Sequence, residues 1–172
     1  PLAEGFEEIE AMTSVDVLRR AGFDVVTAGL PGTVVTGSRG VRIFTDKKLE
    51  DVNMDEFDAL VLVGGYPGYL NLGRSRAVLD AIVNFNSKNK VIAAICGAPS
   101  VLAKAGILDE KKATIYPGME REIPRPRGDR VVVDGNVITS QGPGTAMEFA
   151  LKIVEVLGGK EKSEKLKRDL VC

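Results

Sequence analysis

The sequence predicts an α/β fold in which helices cover both faces of a mostly parallel sheet. Segments with strand character alternate with segments of helical periodicity, which is the order found in a doubly wound sheet. Several strands are apolar throughout, as strands buried on both faces are, and glycine turns follow them at Gly64-Gly65 and Gly97. The 172 residues suffice for one domain with a substantial core, and no repeat or linker divides residues 1–172.

The front of the chain has the character of a strand that ends just before a turn. Pro1-Leu2-Ala3 precedes the Glu4-Gly5 turn, where a doubly wound sheet requires an apolar strand. We therefore expect that the first strand is incomplete in this sequence. The acidic segment 4–10 then leads into a helix that Gly22 ends, and its predicted inward-facing residues are Val15, Leu18 and Ala21.

Apolar runs and turn residues define the rest of the first half. The predicted segments are a strand over 23–28, a hairpin with arms at 34–35 and 41–44, a short helix with a loop over 46–56, a buried strand over 59–63, a loop over 66–74, and a helix from Ser75 to Phe85 with Val78, Leu79, Ile82 and Val83 facing inward. The glycine pair after the strand at 59–63 is typical of a backbone that approaches a ligand, although a tight turn alone also explains it.

The second half is predicted to contain a buried strand over 91–95 and a helix over 99–105, which Gly106 ends. The remaining segments are a strand over 113–116, a charged loop over 117–127, a hairpin with arms at 130–133 and 136–139 around Asp134-Gly135, a tight loop over 141–145 whose Thr145 caps a helix over 146–157, and a charged last helix over 160–168.

Cys96 lies between the strand at 91–95 and the helix at 99–105, and Gly97 follows it. A residue on a sharp strand-to-helix turn stands above the edge of the sheet, and the next backbone N–H points to where an oxyanion forms. The dipole of the helix favours a thiolate at this place. An inert core cysteine is the alternative, because free cysteine is often buried, but the turn favours a functional thiol.

Composition excludes several classes of function. The formal net charge of −1 does not favour a nucleic-acid partner, and no apolar run approaches the length of about 20 residues that a membrane span needs. The two cysteines, Cys96 and Cys172, make no disulfide framework, so a reducing cytoplasm is the expected location. Because histidine is absent, the sequence predicts neither a Cys–His pair nor a histidine-ligated metal site.

A functional Cys96 needs a partner, because an ordinary thiol with a pKa of about 8.5 is mostly protonated at neutral pH. Without histidine, the candidates are the helix dipole, an arginine or a carboxyl group. We predict Glu10, since a protonated glutamic acid can donate to a thiolate and then shuttle the proton. Glu7 and Glu8 are rivals, and glutamates at a helix start also serve as caps.

Four motifs carry a resemblance to a known family. They are LAEGFEEIEAM at the front, VLVGGYPG after the strand at 59–63, AICGAPSVLA around Cys96, and SQGPGTAMEFALKIVEVLGGKE near the end. In order and spacing they resemble the ThiJ/PfpI superfamily, in the branch of the parkinsonism protein DJ-one and bacterial YajL, over nearly the whole chain. The resemblance implies a flavodoxin-like three-layer sandwich with a mostly parallel twisted sheet, and a homodimer.

The resemblance also implies roles for individual residues. The family's reactive cysteine falls on Cys96 and its acidic partner on Glu10, while its oxyanion donors fall on the backbones of Gly65 and Gly97. The implied pocket further includes Gly64, the loop Gly142-Pro143-Gly144, and Arg39, which would reach the site across the dimer interface.

Two positions depart from the family's pattern. Peptidase-like members have a histidine directly after the cysteine, where this chain has Gly97, and DJ-one has a pocket histidine where this chain has Tyr116. Tyr116 therefore either donates a hydrogen bond to a substrate or only packs. A proton relay through histidine does not apply to this chain.

Three functions are compatible with these residues. The favoured one is a cofactor-free, metal-free glyoxalase or deglycase that converts a small carbonyl substrate (glyoxal, methylglyoxal or an early glycation adduct) to a hydroxy acid through a hemithioacetal at Cys96. The alternative is a redox-sensing, chaperone-like protein with an oxidisable Cys96. A cysteine peptidase is disfavoured, because acyl transfer to an amine needs a positioned acid and histidine is absent.

Overall fold

The computed structural model describes residues 1–172, which form nine strands and six helices. The strands are β1 Leu2–Ala3, β2 Ala28–Leu30, β3 Val34–Thr36, β4 Arg42–Phe44, β5 Lys47–Lys48, β6 Ala59–Leu62, β7 Val91–Ile95, β8 Val131–Asp134 and β9 Val137–Ser140. The helices are α1 Glu8–Arg20, α2 Gly68–Arg74, α3 Arg76–Ser87, α4 Pro99–Lys104, α5 Ala146–Gly158 and α6 Lys160–Asp169.

Parallel pairing dominates the strands. β6, β7 and β9 are neighbours in parallel, and β8 runs antiparallel to β9 at the edge, in the order β6-β7-β9-β8. A second parallel set has the order β1-β2-β5. The two predicted hairpins are confirmed, since β3 pairs antiparallel with β4 and β8 with β9.

Successive residues of β7 point to opposite sides of the sheet, and each side has its own hydrophobic core. Ile92 and Ala94 belong to a core shared with α3 and α4, whereas Ala93 and Ile95 belong to a core shared with α1 and α5. This burial on both faces explains why the strand is apolar throughout. The predicted α/β sandwich of three layers is confirmed.

The segment 66–74, predicted as a loop, is mostly the helix α2, and the prediction was wrong. Its two glycines lower helix propensity, which hid the element in the sequence. Packing overrides that preference: the Gly68 N–H donates to the Gly5 carbonyl at 3.2 Å, and Leu72 is buried. A methyl group on Gly68 would lie 2.6 Å from the Phe6 nitrogen, so glycine is required for this close approach.

Two predicted strands were also wrong. Strand pairing begins at Ala28 rather than at residue 23, and the Thr27 N–H donates to the Asp46 carboxylate at 2.8 Å instead of to a neighbouring strand. Residues 113–116 form no strand but a single bridge between Ala113 and Pro126. The Thr114 N–H donates to the Thr139 hydroxyl at 2.9 Å, so a side chain takes the place of a strand partner.

Some predicted side-chain directions needed correction. On α1, Leu18 and Ala21 are buried as predicted, but Val15 is only half-buried. On α3, Val78 and Ile82 are buried and Leu79 is partly buried, whereas Val83 is exposed and Phe85 takes the inward position. Thr145 does not cap α5 through its side chain, because its hydroxyl accepts from the Gly142 N–H at 3.1 Å.

Beside β1 lies an apolar cavity of about 510 Å³, lined by α1, residues 23–28 and residues 56–61 among others. The predicted strand before the Glu4-Gly5 turn is present as the two residues of β1, and Leu2 of this strand lines the cavity. The cavity is not lined by Cys96 or Glu10. None of the helices is long and apolar enough to cross a lipid bilayer.

Candidate active site

Cys96 occupies the turn between β7 and α4 in a left-handed backbone conformation, with φ of 63°. Such a φ is unfavourable for any residue except glycine and costs on the order of 1 kcal/mol or more. Hydrogen bonds on both sides hold the turn, because the Cys96 N–H donates to the Ser140 carbonyl at 3.0 Å and its carbonyl accepts from the Tyr116 N–H at 2.9 Å. The side chain is half-buried and packs against the core shared with α1 and α5.

Glu10 lies on the inward face of α1 and is completely buried. Its Oε2 accepts from the Gly64 N–H at 2.7 Å, a bond that joins α1 to the turn after β6. Its Oε1 is buried and has no hydrogen-bond partner. The carboxyl group as a whole lies next to the Cys96 thiol, which lowers the pKa of Glu10.

Gly64 allows this approach because it has no side chain. A methyl group at Gly64 would lie 2.6 Å from Cβ and 2.9 Å from Sγ of Cys96, closer than real contacts allow. Gly65, which follows, has φ of 90° and turns the chain. The two glycines that the sequence singles out are therefore required for different reasons. Gly64 must leave room for the Cys96 side chain, and Gly65 must adopt a left-handed turn.

The N–H groups of Gly65 and Gly97 lie close enough to the Cys96 sulfur to lower the pKa of its thiol. Neither donates to a backbone carbonyl, so both are available to a negative charge on the sulfur or on an adjacent oxygen. These are the two oxyanion donors that the family resemblance implies, and the structure brings them together at Cys96.

Burial raises the pKa of Glu10 to about 7, against the bonds from the Gly64 N–H and the Cys96 thiol that lower it. Burial, and then the charge of the Glu10 carboxylate, raise the pKa of the Cys96 thiol to about 12, while the N–H groups of Gly65 and Gly97 lower it. The prediction that the turn lowers the pKa of the Cys96 thiol was therefore wrong for the state in which Glu10 is ionised. The helix expected to acidify it, α4, has only six residues.

Two acids in contact lose their protons in two steps that belong to the pair. Near pH 7 the pair gives up its first proton and carries one negative charge, and it keeps the second proton to about pH 12. That remaining proton lies either on Sγ or on Oε1. When it lies on Oε1, the repulsion disappears and a thiolate is held by Oε1–H and the two glycine N–H groups.

The structure separates Glu10 from its two rivals. Glu7 is the N-cap of α1, and its carboxylate accepts from the Glu10 N–H at 2.8 Å. Glu8 points away from Cys96 to the β3–β4 turn, where it accepts from the N–H of Arg39 at 2.7 Å and of Val41 at 3.3 Å. Of the three glutamates, Glu10 is the one whose carboxyl group contacts the sulfur.

Tyr116 and the loop 142–144 lie on the side of β9. A methyl group at Gly142 would lie 3.3 Å from the Tyr116 ring, so the loop packs against that ring. The Tyr116 side chain is about half-exposed (47%) and makes no side-chain hydrogen bond, which favours packing or substrate contact over a structural bond. Arg39 is exposed at the β3–β4 turn, and its predicted reach into a partner's site stays a prediction.

Comparison with known proteins agrees with this geometry. Residues 1–156 match the model of the DJ-1/PfpI family. The chain belongs to the DJ-1/PfpI family. It is 47% identical to Protein dj-1beta of Drosophila melanogaster over 175 residues, which cover 99% of this chain and 94% of the relative. The crystal structure of Drosophila melanogaster DJ-1beta matches with a TM-score of 0.95 and covers 99% of this chain and 94% of that one.

Two further members of the DJ-1/PfpI family bear on chemistry. The structure named Toxoplasma gondii DJ-1, oxidized, is 39% identical with a TM-score of 0.96, covering 99% of this chain and 95% of that one. The Glutathione-independent glyoxalase DJR-1.2 of Caenorhabditis elegans is 38% identical over 170 residues, which cover 97% of this chain and 91% of the relative. The family assignment made from the four sequence motifs is confirmed.

Sequence reasoning missed Tyr69 as a site residue of this DJ-1/PfpI member. The residue lies in the first turn of α2, in the segment predicted as a loop, so its contact with Gly97 was hidden. The signal that could have found it is the pair of tyrosines, Tyr66 and Tyr69, on either side of Pro67 and directly after the glycine turn. Aromatic side chains so close to a predicted ligand-binding turn are candidates for the wall of the site.

Proposed function

We propose that this chain converts small α-oxoaldehydes such as glyoxal and methylglyoxal to hydroxy acids, without a cofactor, through covalent chemistry at Cys96. The observation that carries the proposal is the buried Glu10 carboxyl group, with one oxygen free of hydrogen bonds, next to a half-buried sulfur that has the unpaired N–H groups of Gly65 and Gly97 nearby. A pKa of Glu10 of about 7 suits a group that both accepts and donates a proton at neutral pH. The C. elegans relative named as a glyoxalase supports the reaction class.

The first step forms a bond between Sγ and the aldehyde carbon. The pair reacts as thiolate and protonated Glu10, and Oε1 gives its proton to the aldehyde oxygen, which leaves a neutral hemithioacetal and a Glu10 carboxylate. The N–H groups of Gly65 and Gly97 stabilise the negative charge that develops on this oxygen.

The second step moves hydrogen between the two carbons of the substrate. The Glu10 carboxylate takes the proton from the carbon bonded to sulfur, giving an enediolate, and returns it to the neighbouring carbon, while the hydroxyl proton passes from the oxygen on the first carbon to the oxygen on the second. The carbon at sulfur is thereby oxidised to a thioester and its neighbour reduced to an alcohol, so no external oxidant is needed. Water then cleaves the thioester, which releases the hydroxy acid and restores the pair.

The test is turnover of glyoxal to glycolate by the wild type and by Cys96→Ser and Glu10→Gln. We expect loss of turnover in Cys96→Ser and a reduction of about a hundredfold or more in Glu10→Gln. Glu8→Gln is the matched control, because it removes a carboxylate from the same helix turn without touching the sulfur. Wild-type activity no higher than a metal-free blank would end the proposal, and activity that survives in Cys96→Ser would end the mechanism. Early glycation adducts are assayed in parallel to separate deglycase from glyoxalase activity.

A second candidate function rests on the same sulfur. Oxidation of Cys96 to a sulfinate would place its oxygens where the Gly65 and Gly97 N–H groups and a protonated Glu10 can donate to them. The relative from Toxoplasma is named as an oxidised form, which supports this chemistry in the family. Mild peroxide should add two oxygens to Cys96 in preference to exposed Cys172, and equal modification of both by mass spectrometry would count against a tuned redox site.

We also propose that the chain forms a homodimer. Large apolar side chains are exposed on the outward face of α1 at Ile9 and Met12 and on the β3–β4 hairpin at Val41 and Phe44. The bonds of Glu8 hold this hairpin against α1, so both lie on one region of the surface. Light scattering should give twice the monomer mass for the wild type and a lower mass for Ile9→Glu. A cytoplasmic location is proposed because two free cysteines persist in a reducing compartment.

A further inference from the structure

We propose that Tyr69 is a positioning residue that holds the Gly65 and Gly97 N–H donors in place around the sulfur of Cys96. The inference rests on the proposed function only for its effect on turnover. The residue is not itself one of the reacting groups, and it acts through the two glycine peptides.

Tyr69 contacts both donor segments. Its backbone N–H donates to the Gly65 carbonyl at 3.0 Å, which fixes the Gly65–Tyr66 peptide directly after the peptide that carries the Gly65 N–H. Its ring lies flat enough on Gly97 that a methyl group there would be 2.8 Å from Cδ1, 2.9 Å from Cε1 and 3.0 Å from Cγ. One residue therefore bridges the two glycines, which follow different strands and lie far apart in the chain.

The two donors need such support. Gly65 and Gly97 carry no side chains, and glycine peptides rotate more freely than any other. A preorganised N–H donor lowers the barrier only if it does not have to reorient during the reaction. The Tyr69 ring lies against Gly97 where a side chain would otherwise stand, and this contact restricts the movement of the Gly97 backbone.

Groups around the phenol keep it neutral. Burial, and then the negative charges of Glu122, Tyr66 and Cys96, raise the pKa of Tyr69. The Tyr69 side chain is therefore an uncharged, half-buried aromatic ring at neutral pH. Because Tyr69 acts through the packing of its ring, we expect that phenylalanine can replace it and that a small aliphatic residue cannot.

The contact itself is tested by a double-mutant cycle on thermal unfolding. Gly97→Ala should lower Tm by about 3 °C or more, because the new methyl group collides with the ring. In a Tyr69→Ala background the same substitution should cost much less, since the space is open. Equal losses in both backgrounds would show that the ring does not hold Gly97 and would overturn the proposal.

The effect on the donors is tested by the pH dependence of Cys96 alkylation with iodoacetamide, in a Cys172→Ser background. Tyr69→Ala should move the midpoint up by about one pH unit, because a thiolate loses a fixed donor. Tyr69→Phe should keep the wild-type midpoint. This measurement needs no turnover, so it stands even if the proposed enzyme activity fails. A midpoint unchanged in Tyr69→Ala would overturn the positioning role.

If glyoxal turnover is present, the kinetic constants add a second test. Tyr69→Ala should lower kcat by about tenfold or more with little change in KM, because donors to an oxyanion act mainly in the transition state. Tyr69→Phe should restore kcat. A loss confined to KM would assign Tyr69 to substrate binding and contradict the positioning role.

Discussion

The inward and outward sides of the first turn of α1 carry chemically identical carboxyl groups with opposite properties. Glu10 on the inward side is fully buried, and burial raises its pKa to about 7. Burial of Glu8 on the outward side is outweighed by bonds from the N–H of Arg39 and Val41 and from the Ser38 hydroxyl, so its pKa is lowered. Residues two apart in a helix do not share a face, and this offset places the Glu10 carboxyl group next to the Cys96 sulfur and the Glu8 carboxylate at the β3–β4 turn.

The largest expected effect that distinguishes the two sides is on the reactivity of Cys96. In the wild type, alkylation should rise in two steps, near pH 7 where the pair loses its first proton and again near pH 12 where it loses the second. Glu10→Gln removes the step near pH 7 and also the carboxylate charge that raises the thiol pKa. One step should remain, with a midpoint above about 8.5 because the thiol is buried and below about 12 because the charge is gone, and the rate at pH 7 should fall by about tenfold or more. Glu8→Gln should leave the profile unchanged. A Cys172→Ser background restricts the reaction to Cys96.

A second prediction concerns stability at alkaline pH. The pKa of Glu10 is raised to about 7 by folding, so its contribution to stability is present below about 4.5 and is lost as pH rises through about 7. At pH 8 the free energy of unfolding of Glu10→Gln should therefore be higher than that of the wild type, by at most about 3 kcal/mol. Urea unfolding at pH 8 and pH 5 measures this difference. A variant less stable than the wild type at pH 8 would show that the ionised carboxylate contributes favourably.

The third prediction has the opposite sign and belongs to Glu8. Its pKa is lowered by folding, so it stabilises the fold above its unfolded value and loses this effect as pH falls through the folded value. Glu8→Ala removes the acceptor of two backbone N–H groups, and we expect a loss of about 1 kcal/mol at pH 7, since water partly replaces these bonds. Thermal unfolding should show a Tm lower by about 2–4 °C, and the difference should shrink at pH 3.

The smallest expected effect is that of Cys172→Ser. The residue is exposed near the end of α6, and its thiol makes only a long contact of 3.8 Å with the Leu170 carbonyl. Turnover, the pH profile of Cys96 and Tm should all match the wild type. A measurable change in any of them would mean that the second thiol, far along the chain from the pair, influences the site.

The sequence was sufficient to predict the strands that carry the site and to predict that Cys96 and Glu10 lie together. Buried strands such as β7 have a continuous apolar run, and a cysteine directly after one marks the edge where functional residues gather. Glu10 was predicted over Glu7 and Glu8 and does lie beside the sulfur, but the helix stripe drawn through Val15 did not show that it is buried. The raised pKa of Cys96 depends on contact with that carboxyl group, which no local pattern contains.

The errors share a physical cause. α2 forms despite Gly68 and Gly73 because Gly68 must approach residues 5 and 6 closely, a tertiary demand that propensity opposes. The strand expected at 113–116 fails because a threonine hydroxyl from β9 takes the bond that a strand would have made. In both places a contact between distant parts of the chain decided the local structure.

The left-handed φ of Cys96 means that glycine would be the cheaper residue at the centre of the site. A library of variants selected only for resistance to heat should therefore become enriched in Cys96→Gly, which lacks the sulfur atom. Thermostabilised versions of this scaffold have to be screened for chemistry and melting together, because selection for one acts against the other at this single position.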